Sequence, residues 1–261
     1  MREILAMPHG ILLVTGPTGS GKSTTLYAAL KHLNTPERKI LTVEDPVEYN
    51  ITGVNQIQVK PQIGLTFANA LRSIVRQDPD IIMIGEMRDE ETAKIAVESA
   101  LTGHLVLSTL HTNDAAGSIT RLQDIGVEEY LLTSTLNAVQ AQRLVRRLCR
   151  HCRQPYTPLD EVAQRWRLQR FSTDGDITLY RPVGCEHCGG TGYSGRAAIL
   201  ELLVMTDTLR QLVLKRADAG MIAKAAIAEG MGTMFDDGLR KAMAGETSLD
   251  EVLRVTQDSR Q

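Results

Sequence analysis

Short apolar runs alternate with amphipathic stretches along the first half of the chain. The runs with the length of strands are residues 10–15, 39–43, 80–84 and 104–110, and residues 53–59 alternate polar and apolar positions. The run at 80–84 is apolar on both faces, as in a strand buried within a parallel sheet. Helical spacing of apolar residues falls between these runs, at residues 25–33, 66–76 and 90–101. The pattern therefore predicts a mainly parallel, doubly wound α/β sheet.

The second half of the chain has a different pattern. Residues 196–204 predict a strand or short buried segment, and the chain beyond them is helical in character. Asp218 suits the start of a helix that stops at Gly230. Ser248 and Glu251 fit a capping box at the start of another helix. We therefore expect a helical C-terminal part.

Composition and charge narrow the function classes. The 261 residues include 43% hydrophobic residues, and 29 basic against 31 acidic residues give a formal charge of −2. This balance argues against broad attraction to nucleic acid or anionic lipid, and 4% aromatic residues are few for stacking bases. No apolar run approaches the length of a membrane span, and the first residues do not make a signal peptide. A soluble, cytoplasmic protein without nucleic-acid partners or a membrane span is expected.

A glycine-rich segment, GPTGSGKST, follows the first predicted strand and precedes a predicted helix. It matches the phosphate-binding pattern G-x-x-x-x-G-K-[ST] in the strand–loop–helix context that the pattern requires. Its backbone amides and the helix start suit phosphate oxygens. Lys22 should reach the β- and γ-phosphates, and the Ser23 hydroxyl should bind Mg²⁺. The predicted nucleotide-binding residues are Gly16, Pro17, Thr18, Gly19, Ser20, Gly21, Lys22, Ser23 and Thr24.

Glu44, Glu86 and His111 each follow a predicted strand, so a parallel sheet should bring them to the same edge as the loop. A carboxylate at Glu44 can orient or deprotonate water, and one at Glu86 can hold a magnesium-bound water or polarise the attacking water. In phosphate-loop enzymes, the usual residue at the position of Glu86 is Asp. His111, or His104 earlier in the same strand, can sense the γ-phosphate. The structural alternatives are helix capping for the glutamates and a packing role for either histidine, which we favour for His104.

All four cysteines fall in two C-x-x-C pairs, Cys149 with Cys152 and Cys185 with Cys188, separated by 32 residues. Two such pairs indicate a closed, structural zinc site with four thiolate ligands. The spacer lacks a strong core pattern, so zinc would stabilise a segment that packs poorly alone. A redox pair or a disulfide is the alternative.

Five ordered segments resemble the signature boxes of secretion ATPases, specifically the type II secretion (GspE-type) and type IV pilus assembly branch. They are GPTGSGKST (16–24), TVEDPVEY (42–49), RQDPDIIMIGEMRD (76–89), TGHLVLSTLHT (102–112) and AQRLVRRLC (141–149). The similarity extends from about His9 to the C-terminus. The paired C-x-x-C motif matches the assembly and secretion members.

The resemblance implies a RecA-like ATPase core in a ring-shaped homo-hexamer. The ring would lie in the cytoplasm, peripheral to the bacterial inner membrane, beneath platform proteins of that membrane. By match, Lys22 and Ser23 belong to the Walker A box, Glu44 to the Asp box, Glu86 to Walker B, and His104 and His111 to the His box. Family members also carry an upstream domain that contributes arginines to the nucleotide site. Since few residues precede Gly16, we expect that domain to be a further partner of this chain.

We therefore expect three domains: a RecA-like P-loop ATPase core (1–148), a tetracysteine zinc module (149–192) and a mainly helical C-terminal subdomain (193–261). The expected activity is Mg²⁺-dependent ATP hydrolysis that powers protein secretion, most of all type II secretion, or pilus assembly. Glu44 is the preferred water-activating base, supported by Glu86, Lys22 and His111. The alternatives are a RecA-like nucleic-acid translocase and an ATP-gated adaptor with little turnover.

Overall fold

The computed structural model describes residues 1–172 and 175–257, which form two compact units interleaved along the chain. The first contains residues 1–141 and 202–231, and the second contains 142–201 and the residues from 232 onward. The three-part division that the sequence suggests stays a prediction. Residues 173–174 of its zinc module and 258–261 of its C-terminal subdomain lie outside the described residues.

Nine strands and eleven α-helices occur in the described part of the chain. The strands are β1 (Gly10–Thr15), β2 (Ile40–Glu44), β3 (Val54–Gln58), β4 (Ile81–Ile84), β5 (Leu105–Leu110), β6 (Leu136–Leu148), β7 (Gln154–Tyr156), β8 (Leu179–Arg181) and β9 (Tyr193–Val204). The helices are α1 (Arg2–Leu5), α2 (Lys22–Leu33), α3 (Phe67–Ile74), α4 (Glu90–Leu101), α5 (Ala115–Ile125), α6 (Glu129–Thr135), α7 (Asp160–Arg165), α8 (Asp207–Leu214), α9 (Ala219–Ala228), α10 (Met234–Met243) and α11 (Leu249–Gln257).

The sheet of the first unit confirms the predicted mainly parallel α/β architecture. Its strands lie in the order β3-β2-β4-β5-β1-β6-β9, with β6 and β9 entering this unit through residues 136–141 and 202–204. β1 pairs in parallel with β5 and with the start of β6, and β2 pairs in parallel with β3 and β4. Every residue of β1, β2, β4 and β5 is buried. The carboxyl ends of these strands therefore share one edge, where ligands of parallel sheets bind.

The helix starts follow the capping signals of the sequence. The carboxylates of Asp89, Asp114 and Asp218 accept from backbone amides in the first turns of α4, α5 and α9. The predicted helix 66–76 is shorter in the structure, where α3 gives way to a 3₁₀ turn at Val75–Gln77. Asp78 then adopts φ +53°, in the left-handed region that Asp tolerates better than most residues.

The second unit has its own apolar core, to which the cysteine spacer contributes together with helices outside the spacer. Leu168 and Leu179 from the spacer are fully buried against Leu239 and Val252 of α10 and α11. Ser248 caps α11 as predicted, since its Oγ accepts from the amide of Glu251 at 3.3 Å. The Glu251 carboxylate has other partners, described below, because two arginines lie within its reach.

The sequence pattern missed β6, which alternates poorly between apolar and polar residues and ends in an arginine-rich stretch. The predicted strand 196–204 is shorter than β9, which begins at Tyr193. Among the helices of the described residues, none combines the length and the apolar character that crossing a membrane requires.

Candidate functional site: a phosphate loop and a tetracysteine cluster

The phosphate loop connects β1 to α2 and is shaped by its glycines. Gly19 and Gly21 adopt φ +78° and +88°, a left-handed conformation that favours glycine, and Gly21 is the residue that precedes the first turn of α2. Ser23 and Thr24 lie exposed in that first turn, while Ser20 is buried. The free amides of a helix N-terminus attract anions, so this loop is suited to phosphate.

Lys22 folds back over its own loop. Its Nζ donates to the carbonyl oxygens of Gly16, at 2.8 Å, and Pro17, at 3.2 Å. Burial lowers the pKa of the Lys22 ammonium, and the negative charge of Glu86 partly offsets this shift. The charge of Lys22 is thus held at the phosphate loop and is electrostatically coupled to the end of β4.

Glu86 follows β4 and has two partners. Its carboxylate forms ion pairs with the Arg88 guanidinium, at 2.5 Å, and with Nε2 of His111, at 3.2 Å. Only 11% of the Glu86 side chain is exposed, against 71% for Arg88 and 48% for His111. Glu86 is therefore mostly shielded from solvent, and its charge acts on Lys22. Both properties are expected of a carboxylate that acts on bound phosphate or water.

Hydroxyl groups fix the backbone at the ends of β1, β4 and β5. Ser108 Oγ donates to the carbonyl of Ile84, at 2.9 Å, and Thr109 Oγ1 donates to that of Gly85, at 2.7 Å. Thr15, at the end of β1, accepts from the amide of Thr112 at 2.9 Å. The ends of β1, β4 and β5 are therefore joined just before their functional residues.

Glu44 lies at the end of β2 and is 3% exposed. One carboxylate oxygen accepts from the Tyr27 hydroxyl, and the other accepts from the Thr42 hydroxyl and from Nε2 of Gln56 at 3.1 Å. Gln56 also donates to the carbonyl of Tyr49, at 3.2 Å, and accepts from a further backbone amide. The carboxylate proposed from sequence as a base is therefore enclosed by three donors.

Burial and the hydrogen bond to Glu44 raise the pKa of Tyr27 to about 12, so its hydroxyl stays protonated and acts as a donor. The amide of Glu48 donates to the same hydroxyl oxygen at 3.1 Å. The Tyr49 ring packs edge-on against Tyr27 with centroids 4.6 Å apart. Through the Tyr27 hydroxyl, α2 is thus hydrogen-bonded both to Glu44 and to the acidic loop that follows Glu44.

The two candidate histidines have different surroundings. His111 contacts Glu86, as described, whereas Nδ1 of His104 lies 2.8 Å from the Ser99 carbonyl oxygen. His104 thus stabilises the C-terminal end of α4, in line with the structural role favoured for it. A cavity of about 320 Å³ opens beside Glu86 and is lined among others by Asp45, Phe67 and Arg88.

A second candidate site lies in the second unit, where the four cysteine sulfurs form one cluster. Sγ of Cys149 lies 3.8 Å from that of Cys185, and Sγ of Cys188 lies 3.9 Å from Cys152 and 3.8 Å from Cys185. Zinc–sulfur bonds of about 2.3 Å in tetrahedral geometry separate the sulfurs by about 3.8 Å. The cysteines are not joined as disulfides. Their spacing therefore fits a tetrahedral metal ion.

The backbone of the knuckles supports thiolate ligands. Burial disfavours the ionised form of Cys188, but the amides of Cys185 and Gly192 each donate to its sulfur at 3.2 Å, and its pKa falls to about 6. Burial raises the pKa of the neighbouring Cys185 thiol to about 11. Gly192 has φ +74°, and a Cβ there would lie 2.5 Å from Cβ of Pro182. His151 and His187 stack on each other with centroids 4.0 Å apart and are not members of the cluster.

The sequence did not identify Tyr27 or Gln56 as parts of the site. Tyr27 and Gln56 lie in the middle of a helix and on an exposed-looking strand, where neither spacing nor a motif distinguishes them from packing residues. Arg88 was visible within the segment IIMIGEMRD, but only coordinates show that it pairs with Glu86.

Comparison with known proteins gives a consistent result. The family model described as "Type II/IV secretion system protein" matches residues 1–254. The Type II secretion system protein E of Xanthomonas campestris pv. campestris is 64% identical over 258 residues, covering 99% of this chain and 45% of the relative. The Type IV pilus assembly ATPase PilB of Thermus thermophilus is 54% identical over 255 residues, covering 98% of this chain and 29% of the relative.

Among solved structures, the pilus retraction motor PilT with bound ADP has a TM-score of 0.73 at 30% identity, and the match covers 99% of this chain and 64% of the PilT chain. This chain thus spans less than half the length of the two curated relatives above.

Proposed function

The chain belongs to the Type II/IV secretion system protein family, and we propose that it is the ATP-hydrolysing part of a secretion motor. One observation carries the proposal. The phosphate loop with Lys22 follows β1, and Glu86 follows β4, at the carboxyl edge of the same parallel sheet. The negative charge of Glu86 also acts on Lys22, which agrees with this placement. The name of the PilB relative, which states an ATPase, and the ADP bound to the PilT motor support the same activity.

Phosphoryl transfer to water depends mainly on positioning and on neutralising charge. The loop amides of residues 16–24 would bind the phosphates, and Lys22 would leave the Gly16 carbonyl to meet the β- and γ-phosphates. The exposed Ser23 hydroxyl is free of the core and suited to hold Mg²⁺, which would neutralise phosphate charge when bound. His111 would report the γ-phosphate to Glu86 through their contact.

Glu44 and Glu86 are the candidates for activating the attacking water. Glu44 remains the proposed base, and the three donors around its carboxylate would fix its orientation. Three donors leave one of the roughly four acceptor sites of the carboxylate for a proton from water. That site is on the oxygen hydrogen-bonded to the Tyr27 hydroxyl, which also accepts from the loop that follows β2. Glu86 would support metal and water from the neighbouring strand.

The four cysteines would hold a structural zinc ion through Cys149, Cys152, Cys185 and Cys188. The sulfur spacing and the two backbone amides that donate to the Cys188 sulfur support this assignment. With four thiolates the site has no open position for catalysis. Zinc would join the two knuckles at either end of the spacer, whose leucines pack in the second unit's core.

In the cell we propose a homo-hexameric motor of type II secretion, since the type II relative above is more similar than PilB. The motor would lie at the cytoplasmic face of the bacterial inner membrane and act on platform proteins there. An upstream domain of the same protein would contribute arginines that stabilise charge at the γ-phosphate, an effect worth about 10³–10⁵ in rate in related chemistry.

The proposal is tested by measuring phosphate release with Mg²⁺ and ATP. Lys22→Ala should remove turnover and weaken ATP binding, because it removes the charge that faces the phosphates. Lys94→Ala is the matched control, since Lys94 is half exposed and pairs with Glu90 on α4. Turnover retained by Lys22→Ala would refute hydrolysis at this loop. ATP binding without turnover in the assembled parent protein would favour an ATP-gated adaptor.

A further inference from the structure

The stretch from Arg143 to Arg153 is unusually basic for a chain with a net charge of −2. It contains five arginines and no acidic residue. It covers the end of β6 and the first cysteine knuckle, all within the second unit. Nothing in the proposed hydrolysis of ATP uses this charge, because the phosphate loop and its carboxylates are built from the first unit.

Three of the five arginines are engaged within the fold. Arg146 pairs with the buried carboxylate of Glu251 at 2.8 Å and lies over the Tyr193 ring. Arg143 donates to the carbonyl of Val255 at 2.8 Å. Arg153 donates to the carbonyl of Gly245 and lies over an aromatic ring. These contacts give the three side chains structural roles.

Arg147 and Arg150 differ from them. Within residues 1–172 and 175–257, no carboxylate lies within 4.0 Å of either guanidinium. Both line a cavity of about 290 Å³, together with Arg153 and with the turn that contains Gly245 and Glu246. Three guanidinium groups and one carboxylate give this cavity a formal charge of +2.

We propose that this cavity, the arginine cavity, binds a soluble compound that carries a phosphate or pyrophosphate group. Guanidinium groups bind phosphate oxygens through paired, charge-assisted hydrogen bonds, and a phosphate monoester carries close to two negative charges. The volume lies at the lower end of ligand pockets, which suits a small anion rather than a large cofactor.

The lining also indicates which source of phosphate fits. Leu148 is the largest apolar residue of the lining and is 3% exposed, so the cavity offers little apolar surface for acyl chains. A free phosphate compound therefore fits better than a lipid headgroup. Arg153 and the Gly245 carbonyl form a fixed wall, while Arg147 and Arg150 supply the charge that is not neutralised inside the fold.

The test is calorimetric titration of the zinc-loaded protein with inorganic pyrophosphate. In its proposed role the phosphate loop should also bind pyrophosphate, so the parent protein should show two classes of site. Lys22→Ala should remove one of them, and the double variant Arg147→Gln/Arg150→Gln should weaken the other at least tenfold. Arg196→Gln is the matched control, since Arg196 is an exposed arginine of the same unit outside the lining.

A second arm uses vesicles of phosphatidylglycerol and phosphatidylcholine. If pyrophosphate binding at the second site depends on Arg147 and Arg150, the cavity takes free phosphate compounds. If only vesicle binding depends on them, the site exists but its phosphate comes from lipid, which overturns our choice of source. An unchanged second site in the double variant, or an equal loss in Arg196→Gln, overturns the arginine cavity.

Zinc content, measured by elemental analysis, separates ligand binding from support of the cysteine cluster. The double variant should keep the zinc content of the parent. Loss of zinc together with loss of pyrophosphate binding would mean that the two arginines balance the charge of the thiolates, and this too would refute the proposal. None of these outcomes depends on ATP turnover, so the test stands apart from that of the motor function.

Discussion

The hydroxyl of Tyr27, on the helix that follows the phosphate loop, donates a hydrogen bond to the carboxylate of Glu44 at the end of β2. The same hydroxyl accepts from the amide of Glu48, so one atom links α2, the candidate base and the acidic loop. A change in α2 when nucleotide binds would therefore be transmitted directly to Glu44.

Tyr27→Phe should lower kcat about tenfold while leaving the affinity for ATP within twofold. The variant keeps the buried ring but loses the donor that orients Glu44, and orientation affects the chemical step more than binding. Loss of the hydrogen bond should also lower the free energy of unfolding by about 1–2 kcal/mol. Steady-state kinetics and urea unfolding of the same preparation measure both effects.

Tyr49→Phe is the control, because it alters a ring next to Tyr27 without removing a donor to Glu44. Its turnover should remain near that of the parent. If Tyr27→Phe loses stability while its kcat and pH profile stay unchanged, the Tyr27 hydroxyl has only a structural role.

Glu86→Gln should bind ATP but release phosphate at least a hundredfold more slowly. The amide keeps the shape of the side chain while removing the charge that acts on Lys22 and on water near the phosphates. The lost charge also removes the interaction that keeps the pKa of Lys22 from falling further. Binding of a fluorescent ATP analogue and single-turnover hydrolysis separate the two steps.

Glu98→Gln is the matched control for Glu86→Gln, since Glu98 is exposed on α4 and does not line the cavity beside Glu86. It should hydrolyse ATP at the parental rate. Near-normal hydrolysis by Glu86→Gln would remove Glu86 from the mechanism and leave Glu44 as the remaining carboxylate.

Much of the first unit could be predicted because its parallel strands are short and buried on both faces. Apolar runs of four to six residues identify such strands, and the residues that follow them must share one sheet edge. Glu44, Glu86 and the phosphate loop could therefore be assigned to one site from their positions alone. The contact of His111 with Glu86 agrees with that inference.

Other features depend on contacts between distant residues and leave little trace in local sequence. Leu168 and Leu179 are isolated in a polar spacer, yet both are fully buried because α10 and α11 supply the rest of their core. β6 has a weak apolar period because its second half presents arginines with specific partners. In the sequence, nothing distinguishes Tyr27 from the apolar residues of α2. Only the structure shows that its hydroxyl donates to Glu44.

Cys185→Ser should remove about one zinc ion per chain and loosen the second unit. Serine lacks a thiolate, and three ligands hold zinc far more weakly than four. Trp166, the single tryptophan, packs on Phe235 in that unit, so its fluorescence should change. ATP binding should persist, because the phosphate loop belongs to the first unit.

His187→Ala is the control within the same knuckle, since His187 stacks on His151 and lies outside the sulfur cluster. It should retain zinc. A parent protein purified without chelator that contains reduced thiols and no metal would contradict the zinc assignment.

The stability of the second unit should depend on pH through Glu251. Its side chain is fully buried, and its oxygens pair with Arg146 at 2.8 Å and with Arg254 at 2.6 Å. Burial alone would raise its pKa, but hydrogen bonds from Arg254, from Arg146 and from the Arg146 backbone lower it to about 2. The ionised carboxylate therefore stabilises the folded form.

Because the folded pKa is depressed, this stabilisation is complete above the unfolded pKa of 4.5 and is lost as the pH falls towards 2. The shift corresponds to about 3 kcal/mol of unfolding free energy, of which about 2 kcal/mol should be lost at pH 3.

In Glu251→Gln this loss of unfolding free energy at acid pH should disappear. Urea unfolding followed by Trp166 fluorescence between pH 3 and pH 6 measures the difference, and loss of zinc at acid pH affects parent and variant alike. Glu161→Gln changes an exposed acid of the same unit, and its unfolding free energy should depend on pH as that of the parent does. Equal slopes for Glu251→Gln and the parent would show that the buried ion pairs do not set the acid stability of this unit.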